Sequence, residues 1–312
     1  GCPYHCTYCS SPHVMGMYKD KGTWRREKSP QRLMEEIKDF EKTYGLDMIY
    51  FVDEIFLTQL ARLEEMADIF SEKVKKPFLF MERPEMVKEE KIKAAAKAGA
   101  YSMSIGVESG DEEFRRRVLN RKMSEKVIID AFGMARKHGV KTHAFNMVGL
   151  PFDDRDRMIT TRELMKRVKP DTAQFSVFYP LVGTKLRDVC IEEGFMEADN
   201  EMPENYYANS VLDMPSMSRK DILKYQTILE ILCGREGKWS DFLWWMYETF
   251  PVTLKFRRRL KFLGEPVRYL KTYGFFGSFG RLIFKFKRRF RDKRVKKDVE
   301  SSQPYSFSRP GK

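Results

Sequence analysis

Cysteine is scarce: five among 312 residues, with three of the five inside the first nine positions. So few exclude a disulfide framework, and their clustering points to metal or redox chemistry in a reducing compartment. Histidine is scarcer, at four. No second cysteine pair exists to complete the usual tetrahedral zinc site. No stretch approaches the roughly 18 uninterrupted apolar residues expected of a membrane-spanning helix, because charges break even the aromatic C-terminal part. An initiating methionine is also lacking. The chain opens on Gly1 inside a cysteine motif, so the natural start is expected upstream and targeting is not read from this end.

What is present suits a large domain. A chain of 312 residues, 42% of them hydrophobic, can bury a core of barrel size and carry an appendage. The net charge of +13 is unevenly placed. Residues 251–312 hold 19 Lys and Arg against 4 Asp and Glu, so the remainder is near neutral and the basic surface belongs to the tail.

Along the chain, Ser29 and Pro30 read as N-cap and first helical residue, and Leu33, Ile37 and Phe40 recur at helical spacing until Gly45. A strand over 48–52 follows. Thr58 is expected to cap a second helix that carries Leu60, Leu63, Ala67 and Phe70 inward, and the short run 78–81 reads as the next strand. The alternation continues with a helix over 88–98, a strand over 101–107 and a helix over 124–138. A strand over 141–148, a helix over 154–168 and a strand over 172–178 complete it. Short buried strands between helices, joined by brief loops, predict an α/β fold with a parallel sheet of right-handed crossovers. Beyond Gly183 the period becomes helical. Ile222, Tyr225, Ile228, Leu229 and Leu232 form one stripe; Trp239, Phe242, Leu243 and Met246 form another. Three regions follow: a core over 1–185, a helical extension over 186–250 and a basic, aromatic, amphipathic tail over 251–312.

The segment CPYHCTYC spaces three thiols so that one loop reaches three corners of a cubane, leaving one iron open to a small molecule. Zinc completed by His5 or His13 is the alternative reading. Cys190 and Cys233 stand alone on apolar helix faces, as small buried hydrophobes do. With aromatic Tyr8 before its last cysteine, the loop resembles the signature of the radical S-adenosylmethionine superfamily, and the resemblance extends to about residue 185. It implies a partial (βα)6 TIM-like barrel with a helical C-terminal extension, whose missing first strand is expected just before Gly1. It also implies a 4Fe-4S cluster on Cys2, Cys6 and Cys9. The open iron of that cluster takes S-adenosylmethionine, and reductive cleavage gives a 5′-deoxyadenosyl radical.

Further segments carry the same resemblance at strand ends, where parallel barrels place their sites. Tyr8 is implied to pack near the adenine. Asp53 and Glu54 stand where relatives hold polar groups near the methionyl ammonium, and Arg83 of MERPEM where a cation neutralises a substrate or methionyl carboxylate. In IGVESG, Glu108 and Ser109 are the implied ribose contacts, with Gly106 permitting close backbone approach. In NMVGLP, Val148, Gly149 and Leu150 are implied to line the adenine and Asn146 to add a polar contact. For Asp53, Glu54, Arg83 and Glu108, plain solvation or helix capping is the alternative. No side chain is singled out as a general acid, base or nucleophile.

The combination of GVESG, LNRKMS, GLP and the FYPLVGTKL turn most resembles the branch with an N-terminal cobalamin domain, which holds methylases of unactivated carbon and an anaerobic porphyrin ring cyclase. Cobalamin is thus implied for the parent protein. The same reading expects this chain alone to be incompletely active. Implied partners are a small-molecule or lipid-like substrate and an electron donor such as a flavodoxin or ferredoxin. In the tail, Phe275, Phe279, Leu282, Ile283, Phe286 and Phe290 alternate with basic residues, the pattern of a helix at an anionic membrane surface. A cytoplasmic location, peripheral to the membrane's cytoplasmic face, follows. Nucleic acid ranks lowest, because no RNA-binding module follows the barrel. Two rivals remain: a tRNA-modifying enzyme of the same superfamily, and a non-catalytic metal-bound module attached to membranes.

Overall fold

The computed structural model describes residues 1–199 and 209–249. After the cysteine loop, α1 (Ser11–Met17) and α2 (Pro30–Tyr44) lead into β1 (Ile49–Tyr50) and α3 (Leu60–Ile69). Then come β2 (Phe78–Glu82), α4 (Glu89–Lys97), β3 (Ala100–Glu108), α5 (Glu112–Arg117) and α6 (Glu125–Lys137). The order closes with β4 (Lys141–Val148), α7 (Arg155–Val168), β5 (Thr172–Val177), α8 (Lys185–Glu192), α9 (Arg219–Leu232) and α10 (Lys238–Thr249). The five strands pair in chain order, every pair parallel. They curl into a half-barrel with helices around it, and helices follow at the C-terminal side.

Local chemistry explains the elements. Ser29, Ser124 and Asp154 all sit in extended conformation at N-caps, and each side chain accepts from the backbone N–H three residues on, which satisfies one orphan donor of a helix start. Along β4, Thr142, Ala144, Asn146 and Val148 are buried while the residues between them are less so, the period of two expected of a strand. A cluster of rings fixes the β1–β2 side. Phe56 lies 4.7 Å from Phe80 and 5.0 Å from Phe51, and Phe70 and Phe78 are fully buried beside them.

Three expectations are corrected. The strand at 48–52 pairs only over Ile49–Tyr50, because β1 is the sheet edge and hydrogen-bonds to β2 alone among the described residues. Thr58 does not cap α3. Gln59 holds that position, and the Thr58 hydroxyl donates instead to Glu27 Oε2 at 3.1 Å. The inward face of α10 is not the expected stripe: Trp239 is 77% and Phe242 47% exposed. Its buried side carries Ser240, Trp244 and Tyr247, since Ser240 accepts from Arg162 at 3.0 Å and Trp244 lies under the Arg162 guanidinium at 4.8 Å. Residues 11–17, for which the sequence pattern predicts no element, form α1. The stripe of α9 is buried as expected. The amphipathic reading of 251–312 falls outside the described residues. Among those described, no helix is long and apolar enough to cross a membrane.

Beside β1 lies a cavity of about 600 Å³, lined by Leu33, Ile37 and Phe40 of α2 and by Ile49, Phe51 and Asp53. At the far end of β3, Gly110 touches α7. Its N–H donates to Thr161 Oγ1 at 2.8 Å, and a Cβ there would stand 2.3 Å from Thr161 Cα. Backbone meets backbone, so nothing can rotate aside. Gly110→Ala is expected to cost about 1–3 kcal/mol, the range for overpacking, read as a lower urea midpoint at unchanged m-value.

Candidate functional site

Residues 1–10 form a loop across the C-terminal ends of the strands, and three neighbouring segments hold it. Thr7 donates from Oγ1 to Val118 O at 2.6 Å and from its N–H to Leu119 O at 3.3 Å. Asn120 Nδ2 donates to His5 O at 2.7 Å, and Leu186 N–H to Thr7 O at 2.9 Å. The Tyr4 hydroxyl reaches Met86 Sδ after β2. The loop is therefore anchored to the exits of β2, β3 and β5.

Cys2, Cys6 and Cys9 are free thiols, the first two buried. Burial pushes the Cys2 and Cys9 thiols up from their ordinary value, and the neighbouring cysteines and Glu54 add to the rise. Backbone N–H groups of Tyr4 and Ser11 oppose it. Thiols so placed are poor anions unless a cation joins them, and a bound metal deprotonates its thiol ligands outright. Among the described residues no His, Cys, Asp and Glu group of three or more is arranged to hold a single metal ion. A cubane takes one thiolate per iron, so its ligands need not converge on one point.

Two arginines face this loop. Arg83, only 6% exposed, donates from Nη1 to Cys6 Sγ at 3.0 Å and lies over the Tyr4 ring at 3.8 Å. Arg121, 3% exposed, donates from Nη1 to the Tyr8 hydroxyl at 3.1 Å and from Nη2 to Gly106 O, with Glu108 Oε1 3.9 Å away. Glu108 owes its direction to a bulge. The β3–β4 register shifts between Gly106 and Glu108, which brings Glu108 opposite Asn146, and Glu108 adopts φ +71°. Bulges re-aim side chains next to sites, and a non-glycine residue at positive φ is a strained one. A Cβ on Gly106 would come within 2.5 Å of Glu108 Oε1, so glycine leaves the carboxylate its room. Burial pushes the Glu108 carboxyl up, against the pull of Arg121, a Tyr8 hydrogen bond and Arg83. Ser109 is buried, its Oγ accepting from Asp111 N–H and its carbonyl from Arg115. Asp111, not Glu108, caps α5.

The structure thus gathers Cys2, Cys6, Cys9, Tyr8, Arg83, Gly106 and Glu108. Val148, Gly149 and Leu150 are buried at the exit of β4, with Gly149 at φ +73° against Ile222 of α9. Asn146 turns its Nδ2 to Met165 of α7, and its Oδ1 has no partner among the described residues. Asp53 and Glu54 are exposed at the end of β1. Four residues the sequence did not single out belong to this region: Tyr4, Asn120, Arg121 and Asp153. The one sequence signal near them is the LNRKMS segment, which contains Asn120 and Arg121.

Asp153 is fully buried and accepts from Leu150 N–H at 3.0 Å. Burial pushes its carboxyl up to about 7, while the Leu150 N–H, Arg157 and the Gly149 N–H pull it down. A carboxyl raised on folding binds its proton more tightly in the native state, so its contribution is full below about pH 4 and is lost as pH rises through about 7. Stability should therefore fall by about 2–3 kcal/mol between pH 5 and pH 8 from this group. Asp153→Asn should flatten that part of the melting temperature's pH profile.

Residues 1–165 match the radical SAM superfamily, and the chain belongs to it. The cytidylyl-2-hydroxyethylphosphonate methyltransferase of Streptomyces wedmorensis is 22% identical over 225 residues, 70% of this chain and 41% of that protein. The anaerobic magnesium-protoporphyrin IX monomethyl ester cyclase of Cereibacter sphaeroides is 25% identical over 193 residues, 60% of this chain and 30% of that protein. The chain therefore spans less than half the length of the curated relatives it matches. The cobalamin-dependent S-adenosylmethionine radical enzyme OxsB, solved with aqua-cobalamin, superposes over 88% of this chain and 46% of its own with a TM-score of 0.56. At 15% identity that likeness is one of fold.

Membership implies S-adenosylmethionine and a 4Fe-4S cluster, and the residues present fit both. Three adjacent thiols meet a cationic donor, and the partnerless Arg121 Nε and Asn146 Oδ1 offer a donor and an acceptor to a polar ligand.

Proposed function

We propose that this chain is the catalytic core of a cobalamin-assisted radical SAM enzyme that methylates or rearranges an unactivated carbon on a small hydrophobic substrate. The observation that carries the radical step is the convergence of three free cysteines with the Tyr8–Arg121–Glu108 group at one end of the half-barrel. When bound, the cluster and S-adenosylmethionine supply one-electron cleavage of the sulfonium and a 5′-deoxyadenosyl radical.

The chain's own part is to bind and orient. Cys2, Cys6 and Cys9 would hold the cluster as thiolates. Glu108 and Ser109 take the ribose hydroxyls, with Gly106 allowing the approach. Tyr8, Val148, Gly149 and Leu150 line the adenine, Asn146 adding its amide. Asp53 and Glu54 face the methionyl ammonium, and Arg121 offers its charge to the carboxylate. Methylation or ring closure is supported by what the two curated relatives do, and cobalamin by the OxsB likeness; the cobalamin would be held by a region outside these residues. A flavodoxin or ferredoxin would deliver the electron. A core over 1–185, a helical extension over 186–250 and a tail over 251–312 remain the proposed division. The tail's charge supports contact with an anionic membrane surface, and sedimentation with liposomes should depend on their anionic lipid.

Anaerobic reconstitution with iron and sulfide tests the central reading. The expected result is about four irons per chain and release of 5′-deoxyadenosine on reduction with S-adenosylmethionine. A protein that takes zinc and no iron, or whose reduced cluster leaves S-adenosylmethionine intact, would overturn it.

A further inference from the structure

The role expected of Arg83 is neutralisation of a carboxylate, yet its guanidinium is committed elsewhere. Nε and Nη2 both donate to Glu85 Oε1, at 3.0 and 2.5 Å, and the plane lies over the Tyr4 ring. Its backbone is fixed as well. Arg83 N–H donates to Glu82 Oε1 at 2.8 Å, and the other Glu82 oxygen accepts from the N–H groups of Phe56 and Leu57. With every other direction taken, Nη1 points at Cys6 Sγ.

We propose that Arg83 is a positioning residue that sets the reduction potential of the cluster through its Nη1–H···Sγ bond to Cys6, with Glu85 as the counterweight. The inference rests on the reading of Cys6 as a cluster ligand. Potentials of iron–sulfur clusters depend on net charge, on hydrogen bonds to the sulfurs and on exposure to solvent. When a low-potential one-electron reductant such as titanium(III) citrate delivers its electron, no bond is made or broken, and the added negative charge falls beside a buried cation. That cation stabilises the reduced form. Glu85 works the other way: its Oε2 has no partner among the described residues, so part of its charge is left uncompensated. The Tyr4 ring keeps water from the guanidinium and so preserves its field. The Arg83 charge thus acts on the metal side of the site, and the carboxylate of a bound cosubstrate is left to Arg121.

The test is a spectroelectrochemical titration of the full chain, reconstituted anaerobically and followed by the EPR signal of the reduced cluster. Arg83→Gln should lower the midpoint by about a tenfold change in the reduction equilibrium, about 59 mV for one electron. Glu85→Gln should move it in the opposite direction. Opposite shifts are the signature, because general loosening of the loop would move both variants the same way. Should Arg83→Gln fail to take up a cluster, Glu85→Gln carries the test alone: an upward shift supports the proposal and an unchanged midpoint ends it. A loaded Arg83→Gln protein with an unaltered midpoint, or two variants shifting together, also overturns it. Wild-type chain that binds no cluster would defeat the underlying reading instead, so the two failures are told apart.

Discussion

Alanine at Cys2, Cys6 or Cys9 should lower 5′-deoxyadenosine release to background, a loss of more than about 10³-fold, with a parallel fall in bound iron. The expectation follows from the ligand count. Even changes to groups that merely orient a ligand cost about 10–100-fold in metal affinity or activity, and here a corner of the cubane loses its only bond to the chain. Cys190→Ala is the control. Cys190 is buried in α8, and burial pushes its thiol up to about 12, so it stays a neutral apolar group and its loss should leave iron uptake intact. Iron and sulfide content, the EPR of the reduced protein and chromatography of the nucleoside measure the outcome.

Removing Arg121 should be the most damaging change away from the cysteines. In Arg121→Met the Glu108 carboxyl and the Gly106 carbonyl lose their cation, and the Tyr8 hydroxyl loses a donor. Breaking a buried ion pair from one side costs about 3–5 kcal/mol, because the remaining charge is left without compensation. Glu108→Gln in the same chain removes that charge, so the double variant should be more stable than the sum of the single changes predicts. Urea unfolding of the four proteins gives the coupling energy. A sum that is simply additive would show that Glu108 and Arg121 do not act on each other in the native state.

The fold was legible wherever one physical signal dominated. Ser29 stands before an apolar run of helical period and caps α2 as expected, and the helices expected over 124–138 and 154–168 form, with Ser124 and Asp154 at their N-caps. β4 begins and ends where the alternation does. Failures came where a tertiary contact outweighed a local preference. Thr58 was drawn to Glu27, and on α10 the contact between Arg162 and Trp244 chose the buried face over a more hydrophobic one. β1 is short because a strand's length is set by its partners, which the sequence of the strand does not contain. In the candidate site, the clustering of three cysteines in nine residues is visible in the sequence itself. The place of Arg121 is not, since an arginine between Asn120 and Lys122 reads as a solvated surface until the bulge at Glu108 turns a carboxylate toward it.

Among the described residues β1 has no partner on its outer side, and that margin has a mechanical meaning. An extended segment laid along it would be parallel if it continued the ladder, and would cover Leu33, Ile37 and Phe40 in the adjoining hollow. Asp53 and Glu54 leave from that strand, so their stance would be inherited from whatever lies beside it. That acidic pair would then be trued by a neighbour, as a door frame is squared by the wall it is set into.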